Sequence, residues 1–417
     1  MSGVYVPVLL FCSYVAAFID RGLVSVAAAP IKHDLHLSDA QLGLLNGTAF
    51  VALYCVCGIP LGWLADRGDR RAIIAIGLLF WSAMTAACAV ADSLGGFFLA
   101  RAGVGLGEAC LIPAGIPLLG SVTPQRQLGR SIAVFLMGAT VGNSIALLGG
   151  GWLLHHIGAE VGRIAPWREL FLLAAVPGIV LAVLVARIRE PTRIASVVSP
   201  WSALKTAASV LYENRSAYVP VTISTACVIV LSQTQAAWVP LFYARAFHLE
   251  AGSAAMIVGL IFLVTAPAGQ WLGGLLMDHL RTRGIAAAPH VVQAASAMVC
   301  IPAAMIFCTS TNIATSEVAY AVFNLLVFAA TPSGLTAWQL LAPQRSQGLI
   351  VALLVAFVTL VGVGAGPVVV GALTDRLFVD EAGLGASLLA VIVVAGIAGC
   401  LAALYGRRAF NRSVTGT

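Results

Sequence analysis

Residues 62–71 read Gly62-Trp63-Leu64-Ala65-Asp66-Arg67-Gly68-Asp69-Arg70-Arg71 and lie between two apolar runs, 40–64 and 72–92. About twenty apolar residues, at ~1.5 Å per residue in a helix, cross the ~30 Å hydrocarbon core of a bilayer. Buried strands of soluble proteins stop at about 4–8 residues. Outward from this pair the same pattern recurs at 4–29, 95–120, 130–154 and 169–187. After a gap it continues at 218–244, 252–277, 289–311, 317–341, 347–373 and 383–406. The pattern predicts an all-α membrane protein of twelve transmembrane helices.

Composition excludes the soluble alternative. The chain of 417 residues is 60% hydrophobic and 10% charged, with a mean hydropathy of +0.97. A soluble domain carries about 25% charged residues, and so few charges cannot coat a water-facing surface. The net charge of +6 forms no nucleic-acid patch, because basic residues stand singly or in small groups between apolar runs. The nine cysteines all fall inside those runs without metal-ligand spacing and read as small packing residues. The first run lacks a basic leader and contains Asp20 and Arg21, so no cleavable signal peptide is expected.

Even parity places both termini on one side. With that side cytoplasmic, the inner connections carry sixteen basic residues, including Arg67, Arg70, Arg71, Arg126, Arg187, Lys205, Arg281, Arg407 and Arg412. The outer ones carry Lys32, Arg163, Arg168, Arg245 and Arg376. The excess predicts a plasma (inner) membrane protein with cytoplasmic N- and C-termini. Residues 188–216 are the one long connection. Trp201, Leu204, Val210 and Leu211 among its charges suit a short amphipathic helix on the membrane surface, or else a plain linker.

The chain repeats itself. Gly62 to Asp66 ends the second span, and Gly274-Leu275-Leu276-Met277-Asp278 ends the eighth. Pro124-Gln125-Arg126 with Gly129 precedes the fifth, and Pro343-Gln344-Arg345 with Gly348 the eleventh. Matched elements face the same side, which implies two six-helix bundles, 1–187 and 217–417, related by a pseudo-twofold along the membrane normal and joined by 188–216. Such halves hold a substrate near the midplane and rock around it. In the first motif Gly62 is expected to let two helices approach. Asp66 is expected to cap a neighbouring helix N-terminus and pair with arginine across the gap, and Gly62, Asp66, Arg67, Arg70, Arg71 and Asp278 are the expected gating motif, holding one conformation shut on the inner side.

Four ionisable residues lie well inside spans: Asp20, Arg21, Arg101 and Glu108. An unpaired charge there costs at least ~2.5 kcal/mol, which makes each a functional candidate. Arg101 and Glu108 are seven residues apart on the fourth span, about two turns, so both face one way, ~10 Å apart. The reading is that Arg21 and Arg101, with Asp20 and Glu108 as counter-charges, form a substrate and proton site; a salt-bridge cluster that only pins two helices is the alternative. Desolvation and a neighbouring arginine act oppositely on a carboxyl group's proton affinity, so moving an arginine past Glu108 is a route to proton coupling. The second half offers only uncharged polar groups in its spans: Gln233, Thr234, Gln235, Gln270, Asn324, Gln339 and Thr359. One charged and one apolar wall suit an amphiphile with an anionic or zwitterionic head. Phe50, Tyr54, Phe135, Trp238, Phe328 and Trp338 are candidate lining residues.

The Gly62–Arg71 pattern, the twelve spans and the repeat resemble the major facilitator superfamily over nearly the whole chain. Asp20-Arg21, and Arg101 followed by Gly107-Glu108-Ala109, resemble its spinster-like transporters. The resemblance implies that the first and fourth spans line a central cavity, that Arg21, Arg101 and Glu108 are cavity residues, and that the substrate is a lysophospholipid- or sphingolipid-type amphiphile. The fifth span lacks the Gly-Pro pair typical of drug/proton antiporters, while Gly366-Pro367 stands in the eleventh. No nucleophile with a base and no metal-ligand set lies in a span, and His155-His156 has no carboxylate or cysteine at ligand spacing, so neither an enzyme nor a cofactor is expected. The expected partners are a small amphiphilic or anionic substrate, protons and the lipid bilayer, with no nucleic acid and the chain a monomer. Symport of a small organic anion and drug export are the alternatives.

Overall fold

The computed structural model describes residues 2–123, 125–157, 165–188, 200–343, 347–378 and 383–415. Among them no strand forms, and twelve helices or helix pairs are long and apolar enough to cross a membrane. In order the helices are α1 (Ser2–Val26), α2 (Ala28–Asp34), α3 (Asp39–Asn46), α4 (Thr48–Arg67), α5 (Arg70–Ala89), α6 (Leu94–Glu108), α7 (Leu111–Val122), α8 (Gln125–Ile157) and α9 (Pro166–Ala186). They continue as α10 (Pro200–Glu213), α11 (Arg215–Ala246), α12 (Ala251–Thr282), α13 (Ala288–Thr309), α14 (Ile313–Leu341), α15 (Gln347–Thr359), α16 (Gly366–Leu373) and α17 (Leu384–Thr415).

Local chemistry explains where spans begin and break. Ser38 and Gln41 form a capping box that starts α3, and Asp69, Ser93 and Asn312 cap α5, α6 and α14 through their side chains. The fourth span is two helices. Pro113 has no N–H for the carbonyl of Ala109, so α6 stops at Glu108 and α7 resumes at Leu111. In the eleventh span Pro367 likewise denies a donor to Val363, and the chain widens to a π-helix over Leu360–Ala365.

The chain falls into two compact units, Met1–Val197 with Val239–Leu260, and Val198–Trp238 with Ile261–Thr417. In the first, α6 lies hard against α4 and α5. A Cβ at Gly105 would strike the Phe50 carbonyl, and one at Gly107 would lie 2.7 Å from the Trp81 Cβ. In the second, Gly269 and Gly273 bring α12 onto the backbone of α14 at Leu325 and Ala329. The helical alternative for the connection is realised in α10, which packs part of its apolar face on the protein. Its Ala207 is buried, and Val210 and Leu211 pack on a core containing Tyr218, Ile350, Leu354 and Phe410.

Candidate substrate and proton site

The four intramembrane charges meet within the first unit. Arg21 on α1 donates from Nε and Nη2 to Glu108 Oε2 on α6, each at 2.7 Å. Its guanidinium lies 4.4 Å from the ring centres of both Phe18 and Phe50, and 5.2 Å from that of Tyr54. Ion pairing satisfies the edge of the guanidinium while aromatic faces cover its plane, which suits a cation in a low-dielectric site. The Glu108 carboxylate is fully buried, and its Oε1 has no hydrogen-bond partner among the described residues.

Arg101 and Glu108 both turn toward α1, as their spacing requires. Asp20 makes no ion pair with Arg101 among the described residues. Its Oδ2 accepts a hydrogen bond from the Thr85 hydroxyl at 3.0 Å, and Arg101 donates from Nη1 to the Asp20 backbone carbonyl at 3.3 Å. Both residues are buried, with Asp20 Oδ1 and Arg101 Nε unpartnered among the described residues. Thr85 was invisible in the sequence because a lone threonine in an apolar run carries no periodic signal.

The loop motif is described in part. The side chain of Asp66 lies outside the described residues. The carboxylate that caps α5 is Asp69, which accepts from the Ala72 amide at 3.2 Å and pairs with Arg71 Nε at 2.7 Å. Arg71 also donates to the Ile188 carbonyl at 2.8 Å and Arg70 to that of Ala65 at 3.1 Å, while Arg67 lies over the Trp63 ring. Gly62 is not a point of forced approach, since a Cβ there would meet Pro113 at an ordinary 3.5 Å. A Cβ at Gly274 would meet open space, and Asp278 is exposed on α12. Side chains of 125–130, with Pro124, Arg163, Arg189, Arg193, Trp201 and Arg345, lie outside the described residues.

Two further polar contacts were missed by sequence reasoning. Asp39, which is buried, accepts both Nη1 and Nη2 of Arg245 at 2.8 Å and pairs with Lys32 at 2.8 Å. His155 Nδ1 lies 2.7 Å from Glu250, so that histidine has a carboxylate partner after all, one that is distant in sequence. Among the described residues no cluster able to hold a metal is present.

In the second unit the uncharged polar groups form a chain: Gln235 donates to Asn324 at 2.7 Å, and Asn324 to Thr265 at 2.6 Å. Trp238 donates to the Pro367 carbonyl at 3.0 Å, and Phe328 packs edge-to-face on Phe262. Phe135 is buried against Tyr14, and Trp338 lies in the core beneath α10, so these two serve packing.

Twelve candidate spans, with a cluster of aromatic-shielded charges inside the first unit, suit a polytopic membrane transporter. The chain belongs to the Major Facilitator Superfamily, whose family model matches residues 10–367. It is 27% identical to an MFS-type efflux pump of Mycolicibacterium smegmatis, over 95% of this chain and 91% of that protein. It is 26% identical to a probable L-galactonate transporter of Escherichia coli, over 80% of this chain and 74% of the other. Its fold matches a crystal structure of a bacterial homologue of the human lysosomal transporter spinster, with a TM-score of 0.83 and 25% identity, covering 99% of this chain and 98% of that one.

Proposed function

We propose that this transporter is proton-coupled and carries an amphiphile of the lysophospholipid or sphingolipid type by alternating access, with termini and residues 188–216 cytoplasmic and bundles 1–187 and 217–417 as the rocking halves. The observation that carries the reading is the Arg21–Glu108 pair. An anionic headgroup that competes for Arg21 frees the Glu108 carboxylate to take a proton, which couples binding to protonation through one shared guanidinium. Arg101, beside Asp20, supplies a second cation to the headgroup. The spinster-like match at Asp20-Arg21, Arg101 and Gly107-Glu108-Ala109 supports a lipid-like cargo. A second reading, symport of a small organic anion, rests on the likeness to the probable galactonate transporter and uses the same two arginines. A thermal-shift series of the purified protein against lysophospholipids, sugar acids and cationic drugs separates these, because a ligand that binds only the folded state raises its melting temperature. Stabilisation by lysophospholipid alone supports the first reading. Stabilisation by galactonate alone replaces it with the second, and stabilisation by cationic drugs alone replaces it with drug export.

A further inference from the structure

The second unit carries a polar group that the transport site does not use. His290, in the first turn of α13, is 1% exposed, and neither ring nitrogen has a hydrogen-bond partner among the described residues. Its ring packs against Phe410 on α17, with centroids 4.7 Å apart. Gly406 makes room for it, since a Cβ there would lie 3.1 Å from Nε2. A buried imidazole without a partner loses its hydrogen bonds to water at a cost of about 1–3 kcal/mol, so such groups call for a ligand or an ordered water.

His290 lines a groove of about 210 Å³ between α13 and α17. Small residues, Ala294 and Ala403, form its floor, and Met298 and Leu404 stand at its rim. The rim residues are 61% and 52% exposed, as are other apolar side chains on these two spans, so the groove opens on a surface that faces lipid in a membrane. Arg407 lines the groove as well and is itself exposed. Arg408 and Arg412 follow it on α17, and Tyr405, two residues before it, is 82% exposed, in the manner of an interfacial aromatic.

We propose that this groove binds an anionic phospholipid of the surrounding bilayer, its phosphate held by Arg407 and His290 and an acyl chain laid along Ala294 and Ala403. The occupant must be apolar over most of its length and anionic at one end, and it must reach the groove from the hydrocarbon side. Basic pockets between transmembrane helices recruit anionic headgroups in this way. The site lies outside the Arg21–Glu108 cluster and does not depend on what is transported.

The test uses the full-length protein, purified in detergent and stripped of lipid, with melting temperature read against added phosphatidylglycerol, phosphatidylcholine or inorganic phosphate. Phosphatidylglycerol is expected to raise the melting temperature of the wild type, and the other two are expected not to. Arg407→Ala is expected to weaken the apparent phosphatidylglycerol affinity about tenfold. Ala295→Trp, at an exposed groove position whose change leaves the core intact, is expected to abolish the shift. Arg283→Ala, an exposed cation elsewhere, is expected to keep it. Equal shifts from phosphatidylcholine, a shift from phosphate alone, retention of the full shift in Ala295→Trp, or equal loss in Arg283→Ala would each overturn the proposal.

Discussion

Arg21 and Glu108 stand 87 positions apart in the chain, yet the guanidinium meets one carboxylate oxygen twice, from Nε and from Nη2, at 2.7 Å. Glu108 sits at the end of α6 because Pro113 interrupts the fourth span just beyond it. A carboxylate at a helix C-terminus opposes the helix dipole, and the arginine from α1 offsets that unfavourable position.

Removing the charge of Glu108 tests its role in coupling. Glu108→Gln is expected to retain substrate binding and exchange in proteoliposomes while transport driven by a pH gradient falls tenfold or more. A full response to the proton gradient in this variant would transfer the coupling role to Asp20.

Replacing Arg21 with lysine separates charge from shape. Lysine keeps the cation but lacks the planar fork that lies on Phe18 and Phe50 while gripping Glu108. Arg21→Lys is expected to weaken binding of an anionic substrate about tenfold, or ~1.4 kcal/mol, with a smaller loss of thermal stability than Arg21→Ala. Calorimetric affinity and melting temperature on the same preparations check it.

Thr85 gives Asp20 its one side-chain hydrogen bond among the described residues, and Oδ1 is already unpartnered. Thr85→Val keeps the volume but removes the donor, and is expected to destabilise the protein by about 1–3 kcal/mol, whereas Thr85→Ser is expected to retain most of the stability. Melting temperatures in one detergent compare the two.

Asp69 is expected to matter as a cap. Asp69→Ala should cost about 1 kcal/mol. Burial raises the pKa of this carboxyl, but the Arg71 hydrogen bond and the Ala72 amide outweigh it and hold the pKa below the ordinary aspartate value. A depressed folded-state pKa means the stabilisation is present above the unfolded-state value and is lost as pH falls through the folded one. The stability difference between wild type and Asp69→Ala is therefore expected to shrink on acidification below about pH 4, as read by melting temperature across pH.

Amino-acid order alone determined the membrane class, the twelve spans and the four charges inside them, because span length and the cost of a charge in hydrocarbon are properties of a single segment. It placed Arg101 and Glu108 on one face, since helical periodicity is local too. What it left undecided was pairing. The Asp20 carboxylate meets Thr85 while Arg101 reaches only the Asp20 backbone carbonyl, Asp69 caps α5, and Asp39 joins Arg245 across 206 positions. Those partners depend on how closely helices approach and at what rotation, which glycines such as Gly105 decide only against a particular neighbour, here the Phe50 carbonyl. A side chain's partner in a helical membrane protein is a property of two packed surfaces, and only the tertiary structure brings both together.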